Sequence, residues 1–169
     1  AQLSKPLSLR LGAGWIKAEY DAIGLPFDEF PQRFARCAEF VHAYKAFMTG
    51  EPLSIQGDFI NWSGFSGLPG PAQHPHPPLM IGGGSKKILG FAGREADIVS
   101  LNFNNRAGML GPDGMNSGLA AATAQKIQWI RDGAGPRFDQ LELEIGAYNT
   151  IVTDHPVPTA SAIGDMLGM

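Results

Sequence analysis

The stretch Pro77-Pro78-Leu79-Met80-Ile81-Gly82-Gly83-Gly84-Ser85-Lys86-Lys87-Ile88-Leu89 constrains this chain more than any other. A short apolar run, Leu79 to Ile81, is followed at once by three glycines, a serine and two lysines. A helical pattern then places Ile88, Leu89, Phe91 and Ala92 on one apolar face. Strand, tight turn, helix is the repeating unit of a parallel α/β sheet. Glycines let a backbone approach a ligand closely, and the first turn of the helix offers free N–H groups at a positive dipole end. Both suit a phosphate or carboxylate. Ser85 would add a hydroxyl and Lys86 a cation. The same residues also suit a turn that needs only small side chains, with Lys86 solvated. Two better-known phosphate motifs are excluded. A P-loop needs a glycine, four spacers and then Gly-Lys-Ser/Thr, which Gly82 to Lys87 does not supply. The dinucleotide fingerprint fails in Gly12-Ala13-Gly14-Trp15-Ile16-Lys17, where lysine stands in place of the third glycine.

The 169 residues fit a single domain spanning 1–169, long enough for a real core. With 44% hydrophobic and 17% charged residues the chain is globular. A net charge of -3 with no basic run argues against a nucleic-acid partner. No apolar stretch approaches the roughly 20 residues of a membrane span, and no signal-peptide pattern opens the chain. A cytoplasmic enzyme or binding protein is expected. Cys37, the one cysteine, lies on an apolar helical face and reads as a core residue. The first residue is alanine and a strand follows almost at once, as in a processed, trimmed or fragmentary product.

Leu7 to Gly12 alternates like a strand and ends in a second glycine-rich exit, Gly12-Ala13-Gly14-Trp15. Lys17 to Pro31 reads as a loop with one short helical turn. Asp28 and Pro31 then signal a helix over 31–49, with Phe34, Cys37, Ala38, Val41, Phe47 and Met48 at helical spacing. Leu53 to Asn61 reads as a hairpin turning near Gly57. Ser63 to Pro78 reads as a loop, and its His74 and His76 lack other ligands at metal spacing. Ala96 to Asn102 is another buried strand with Asn102 at its polar end, followed by a long loop over 103–116. Ser117 is placed to cap a helix that stops at Gly133. Leu141 to Val152 reads as a strand with Leu141, Leu143, Ile145 and Ala147 on one side and Glu142, Glu144 and Tyr148 on the other. The tail from His155 is Pro-interrupted and weakly helical at most. Alternating strands and helices predict a parallel sheet of about four strands with helices packed on it. Candidate ligand groups gather at the strands' C-terminal ends.

Taken together, Leu3-Ser4, Leu9-Arg10-Leu11-Gly12-Ala13-Gly14-Trp15, Glu19-Tyr20, Pro77 to Ser85 and Arg94-Glu95-Ala96-Asp97-Ile98-Val99 resemble the luciferase-like monooxygenase family, and within it the deazaflavin-dependent oxidoreductases. The resemblance runs from about Leu3 to about Asp154. It implies a partial (β/α)8 barrel whose strands are equivalent to strands 4–7 of the family. It also implies a cofactor, FMN or a deazaflavin (coenzyme factor 420), and a small-molecule substrate. By that resemblance Gly83, Gly84, Ser85 and Lys86 would hold the cofactor phosphate, with Gly82 a further cofactor-binding candidate. Gly12, Ala13, Gly14 and Trp15 would lie along its phosphate and ribityl side. Apart from the resemblance, Asn102 at its strand end is a further cofactor-binding candidate, although an asparagine there more often just satisfies the turn backbone. A complete barrel needs about 250 residues, so the first three strands and the eighth have no counterpart.

The implied function is a flavin- or deazaflavin-dependent oxidoreductase or monooxygenase, present as a fragment. The alternative is a non-catalytic half-barrel that binds a phosphorylated ligand or only itself. No acid, base or nucleophile constellation stands out. A β-branched residue at Gly83 is expected to abolish phosphate binding with the fold largely intact. A half-barrel would also expose apolar side chains on a sheet face, drawn from Leu9, Leu11, Met80, Val99, Leu101, Leu143 and Ile145. Each would cost roughly 1.5–3 kcal/mol, which predicts a homo-oligomer, most simply a two-fold dimer.

Overall fold

A computed structural model describes residues 7–67, 69–105, 108–109, 112–146 and 150–167. Leu3, Ser4, Ala147 and Tyr148, used in the sequence reading, lie outside the described residues. Four strands form a parallel sheet in the order β1 (Leu9–Leu11), β4 (Leu79–Gly83), β5 (Ile98–Leu101), β6 (Glu142–Ile145). The intervening elements are α1 (Lys17–Ala22), α2 (Phe30–Phe47), a hairpin of β2 (Leu53–Gln56) and β3 (Asn61–Phe65), α3 (Lys86–Glu95), a short α4 (Pro112–Asn116) and α5 (Ala120–Ala134). A 3-10 turn over Gly135–Gln140 leads into β6, and α6 covers Pro156–Leu167. The parallel α/β architecture expected from the alternation is present.

One face of the sheet carries the core. Leu79, Ile81, Val99, Leu89, Ile130 and Val41 are wholly buried between it and α2, α3 and α5. Leu9 and Leu11 pair in register with Leu79 and Ile81 and join the same cluster. Each large apolar side chain so covered contributes roughly 1.5–3 kcal/mol. Cys37 is buried in α2, and burial pushes its thiol up to about 11, so it is a packing residue.

The opposite face is not the apolar surface that the sequence led us to expect. In register it carries Arg10, Met80, Ile98 and Glu142 in one row and Gly82, Ser100 and Glu144 in the next. Arg10 lies against Met80 and pairs with Glu144 at 3.3 Å, across two intervening strands. Of the seven suspected exposed residues, only Met80 lies on this face. Leu9, Leu11, Val99 and Leu101 face the helices, as do Leu143 and Ile145. These last two are 38% and 59% exposed on the edge strand β6, which the helices leave open.

Helices α3 and α5 meet backbone to backbone. A Cβ on Gly133 would fall inside contact distance of the Gly90 carbonyl, and one on Gly93 would do the same at the Ile130 carbonyl. Gly133 is therefore a packing residue inside α5, not its stop; the helix ends at Gly135, whose φ of 56° suits glycine. Arg137 then donates to the Gly93 and Ala96 carbonyls at 2.6 and 2.7 Å, satisfying the end of α3. Lys45 of α2 pairs with Glu95 of α3 at 2.9 Å. The hairpin is fastened to α2 by Glu39, whose carboxylate accepts the N–H groups of Asp58, Phe59 and Ile60.

Other local readings are corrected. Asp28 does not cap α2; the preceding residue is Glu29, and Asp28 pairs with Arg36 at 2.6 Å. Ser117 does not cap α5, which starts after Leu119 without a side-chain cap. Residues Ser63 to Phe65 belong to β3 rather than to the loop. The tail contains a 12-residue helix, α6, because Pro156 and Pro158 fall in its first turn, where a missing N–H costs nothing.

Gly93→Ala or Gly133→Ala should each lower stability by about 1–3 kcal/mol through overpacking. Urea denaturation of either variant measures it, and an unchanged midpoint would show that α3 and α5 separate freely.

Candidate functional site

The sequence-predicted residues converge at the C-terminal end of the sheet. Gly12 follows β1 directly, and a Cβ there would lie 3.6 Å from the Gly82 carbonyl, so the two glycine segments are neighbours. Gly14 has φ 72° and lies against the Tyr20 hydroxyl, while Trp15 is 40% exposed. Asn102 extends the β5 pairing by donating its N–H to the Gly83 carbonyl at 2.9 Å. Its amide Nδ2 donates to the Ser100 carbonyl at 3.2 Å and stands 2.8 Å from where a Gly82 Cβ would be. That side chain packs the turn, as an asparagine at a strand end usually does.

The glycines of the turn are required by the protein's own packing. A Cβ on Gly83 would collide with the buried Ile88, and one on Gly84 with the backbone carbonyl of Phe103. The expectation that a β-branched residue at Gly83 leaves the fold intact is therefore withdrawn. Ser85 precedes α3 in extended geometry (φ -106°, ψ 158°) and makes no side-chain cap bond. Its Oγ is buried with no hydrogen-bond partner among the described residues. An orphaned hydroxyl beside the first N–H groups of a helix is what an absent acceptor would leave. Lys86 is exposed; Lys87 turns away to lie 4.5 Å over the Phe34 ring.

Two residues at this end escaped the sequence reading. Arg33 of α2, 8% exposed, donates to the carbonyls of Asp28, Ala13 and Gly14 and stacks 4.1 Å over Phe27. It ties the Gly12–Trp15 loop to the start of α2. Lys126 of α5, 3% exposed, donates to the carbonyls of Asn102 and Ser117 at 2.7 and 2.6 Å. Burial pushes the Lys126 ammonium below the usual lysine range. Among the described residues neither cation makes an ion pair. A signal was available: Arg33 stands in line with Cys37 and Val41, and Lys126 with Ile130 and Ala134, at helical spacing on buried stripes.

His74 and His76 do not come together as ligands; His76 rests against the Pro77 carbonyl and Asp97 instead. Among the described residues no group of three or more His, Cys, Asp or Glu side chains is placed to hold a metal ion. No helix among them is long and apolar enough to cross a membrane.

This arrangement has known relatives. The chain is 34% identical over 103 residues to an FMNH(2)-dependent dimethylsulfone monooxygenase of Pseudomonas putida, a match covering 61% of this chain and 28% of that protein. The corresponding monooxygenase of Pseudomonas fluorescens is 26% identical over the same shares. In three dimensions it resembles the coenzyme F(420)-dependent tetrahydromethanopterin reductase of Methanopyrus kandleri, with a TM-score of 0.65 and 19% identity over 88% of this chain and 43% of that one. The matches thus cover less than half the length of these relatives, and the last of them shares its fold. Residues 7–111, from β1 through the loop after β5, match the luciferase-like monooxygenase family itself, and the chain belongs to that family.

Proposed function

We propose that this chain is the cofactor-phosphate-holding part of a flavin- or deazaflavin-dependent oxidoreductase acting on a small-molecule substrate. The observation that carries the reading is the buried Ser85 hydroxyl, without a hydrogen-bond partner among the described residues, at the uncapped start of α3. A phosphate there would accept from Ser85 Oγ and from the first N–H groups of the helix, with the dipole and the Lys86 ammonium favouring its charge. Gly12, Ala13, Gly14 and Trp15 would line the neighbouring side, with the exposed indole of Trp15 available to the cofactor's chain or ring. Gly82, Gly83, Gly84 and Asn102 serve mainly to shape this end. The bound ring system would supply the hydride and electron transfer that side chains lack.

Both cofactors in the sequence-based expectation keep support. The sequence relatives are described as FMNH(2)-dependent, and the M. kandleri structure as coenzyme F(420)-dependent. Self-association belongs to the proposal too, on narrower grounds than first expected. Its basis is the exposed Leu143 and Ile145 on the edge strand β6, not an apolar open face. Sedimentation at micromolar concentration should find a dimer, and a cooperative monomer would remove this part of the reading.

Fluorescence titration tests the phosphate site. Ser85→Ala should weaken FMN binding about tenfold, the loss of one charge-assisted hydrogen bond. Riboflavin, which lacks the phosphate, should bind both proteins equally. Equal FMN affinity in the two proteins would overturn the assignment.

A further inference from the structure

We infer that Lys126 is a positioning residue for the phosphate-binding turn, holding the segment after β5 against the glycines that precede α3. What the turn binds rests on the function proposed above; the positioning itself does not.

Lys126 projects from α5 into the end of the sheet, with only 3% of its surface exposed. Its Nζ donates to the Asn102 carbonyl at 2.7 Å and the Ser117 carbonyl at 2.6 Å, with Ser117 Oγ at 3.4 Å. Ser117 Oγ in turn accepts the Asn104 N–H at 2.7 Å and donates to the Gly114 carbonyl at 2.5 Å. One ammonium thus fastens both ends of the stretch from Asn102 to Ser117. The held end is the one that shapes the turn. Asn102 pairs with Gly83 through its N–H, its Nδ2 lies against Gly82, and the Phe103 carbonyl lies against Gly84. Movement of Asn102 and Phe103 would therefore release three consecutive glycines directly before Ser85.

Core packing does not account for a lysine here. Burying an ammonium with no carboxylate partner among the described residues carries a desolvation cost that a methionine of similar length would avoid. The bonds to backbone carbonyls are what the charge gains, and they all lie on the loop that closes over the turn.

Lys126→Met keeps length and apolar bulk while removing the donors, and Lys126→Gln keeps a shorter amide donor. Amide hydrogen exchange is measured for both variants and the unaltered chain, alongside FMN affinity. In the Met variant, exchange at Asn102 to Asn105 and Ser117 to Leu119 should rise about tenfold or more, with α2 and Leu79–Ile81 unchanged. FMN affinity should fall several-fold, and riboflavin affinity should not. The Gln variant should lie between. If the Met variant does not fold, the Gln variant is judged by the same local rise. Unchanged exchange in the loop, or an equal rise throughout the molecule, would overturn the inference. Failure of the unaltered chain to bind FMN would sink the proposed function, while the exchange result still decides the role of Lys126.

Discussion

Helix α3 is held by direct contact with other backbone, and the placement of its first turn follows from that. Gly90 and Gly93 admit α5 to within contact of the helix itself, Gly83 makes room for Ile88, and Gly84 lies under the Phe103 carbonyl. A Cβ at Gly83, Gly84 or Gly93 would clash, so the helix has little freedom to slide or tilt. Its C-terminal end is closed by Arg137 and joined to α2 through Lys45 and Glu95. Its N-terminal end is left without a side-chain cap, and the Ser85 hydroxyl has no hydrogen-bond partner among the described residues. A rigid helix with one satisfied end and one unsatisfied end would suit the proposed anion site, because little ordering would remain to be done on binding.

The loops around that end are organised by buried cations that bond to carbonyls. Arg33 collects Ala13, Gly14 and Asp28, and Lys126 collects Asn102 and Ser117. Acceptors gathered onto buried donors in this way fix the loop backbones on both flanks of the glycine turn. The two positive charges also add to the local potential, a contribution that salt screens less at buried than at exposed sites. The opposite sheet face is organised differently. Its Arg10 and Glu144 pair across the sheet, and these polar groups make the open face more tolerant of water than an apolar one.

The parallel sheet and the strand–glycine–helix unit were legible because both rest on local patterns. Leu79 to Ile81 is a short apolar run, Gly82 to Gly84 a break, and Ile88 to Ala92 a helical stripe. The family resemblance followed from the same residues in order. What could not be read was the purpose of particular side chains, since that depends on partners distant in sequence. Gly133 reads as a helix stop from its own neighbourhood and becomes a packing residue only opposite Gly90. Ser117 reads as a cap until Asn104 and Lys126 reach it. Pro156 and Pro158 read as breakers although they sit in the first turn of α6. The glycines at 82–84 were read as room for a ligand, whereas Ile88, Asn102 and Phe103 already fill it.

The central claim is that ligand chemistry belongs to the C-terminal end of the sheet, at the start of α3. Mapping amide chemical shifts during an FMN titration tests it most directly. The account predicts the largest changes at residues 84–88, smaller ones at 12–15, and none in the hairpin over 53–65. Changes centred on the hairpin, or on the polar face around Arg10 and Glu144 with residues 84–88 silent, would contradict it.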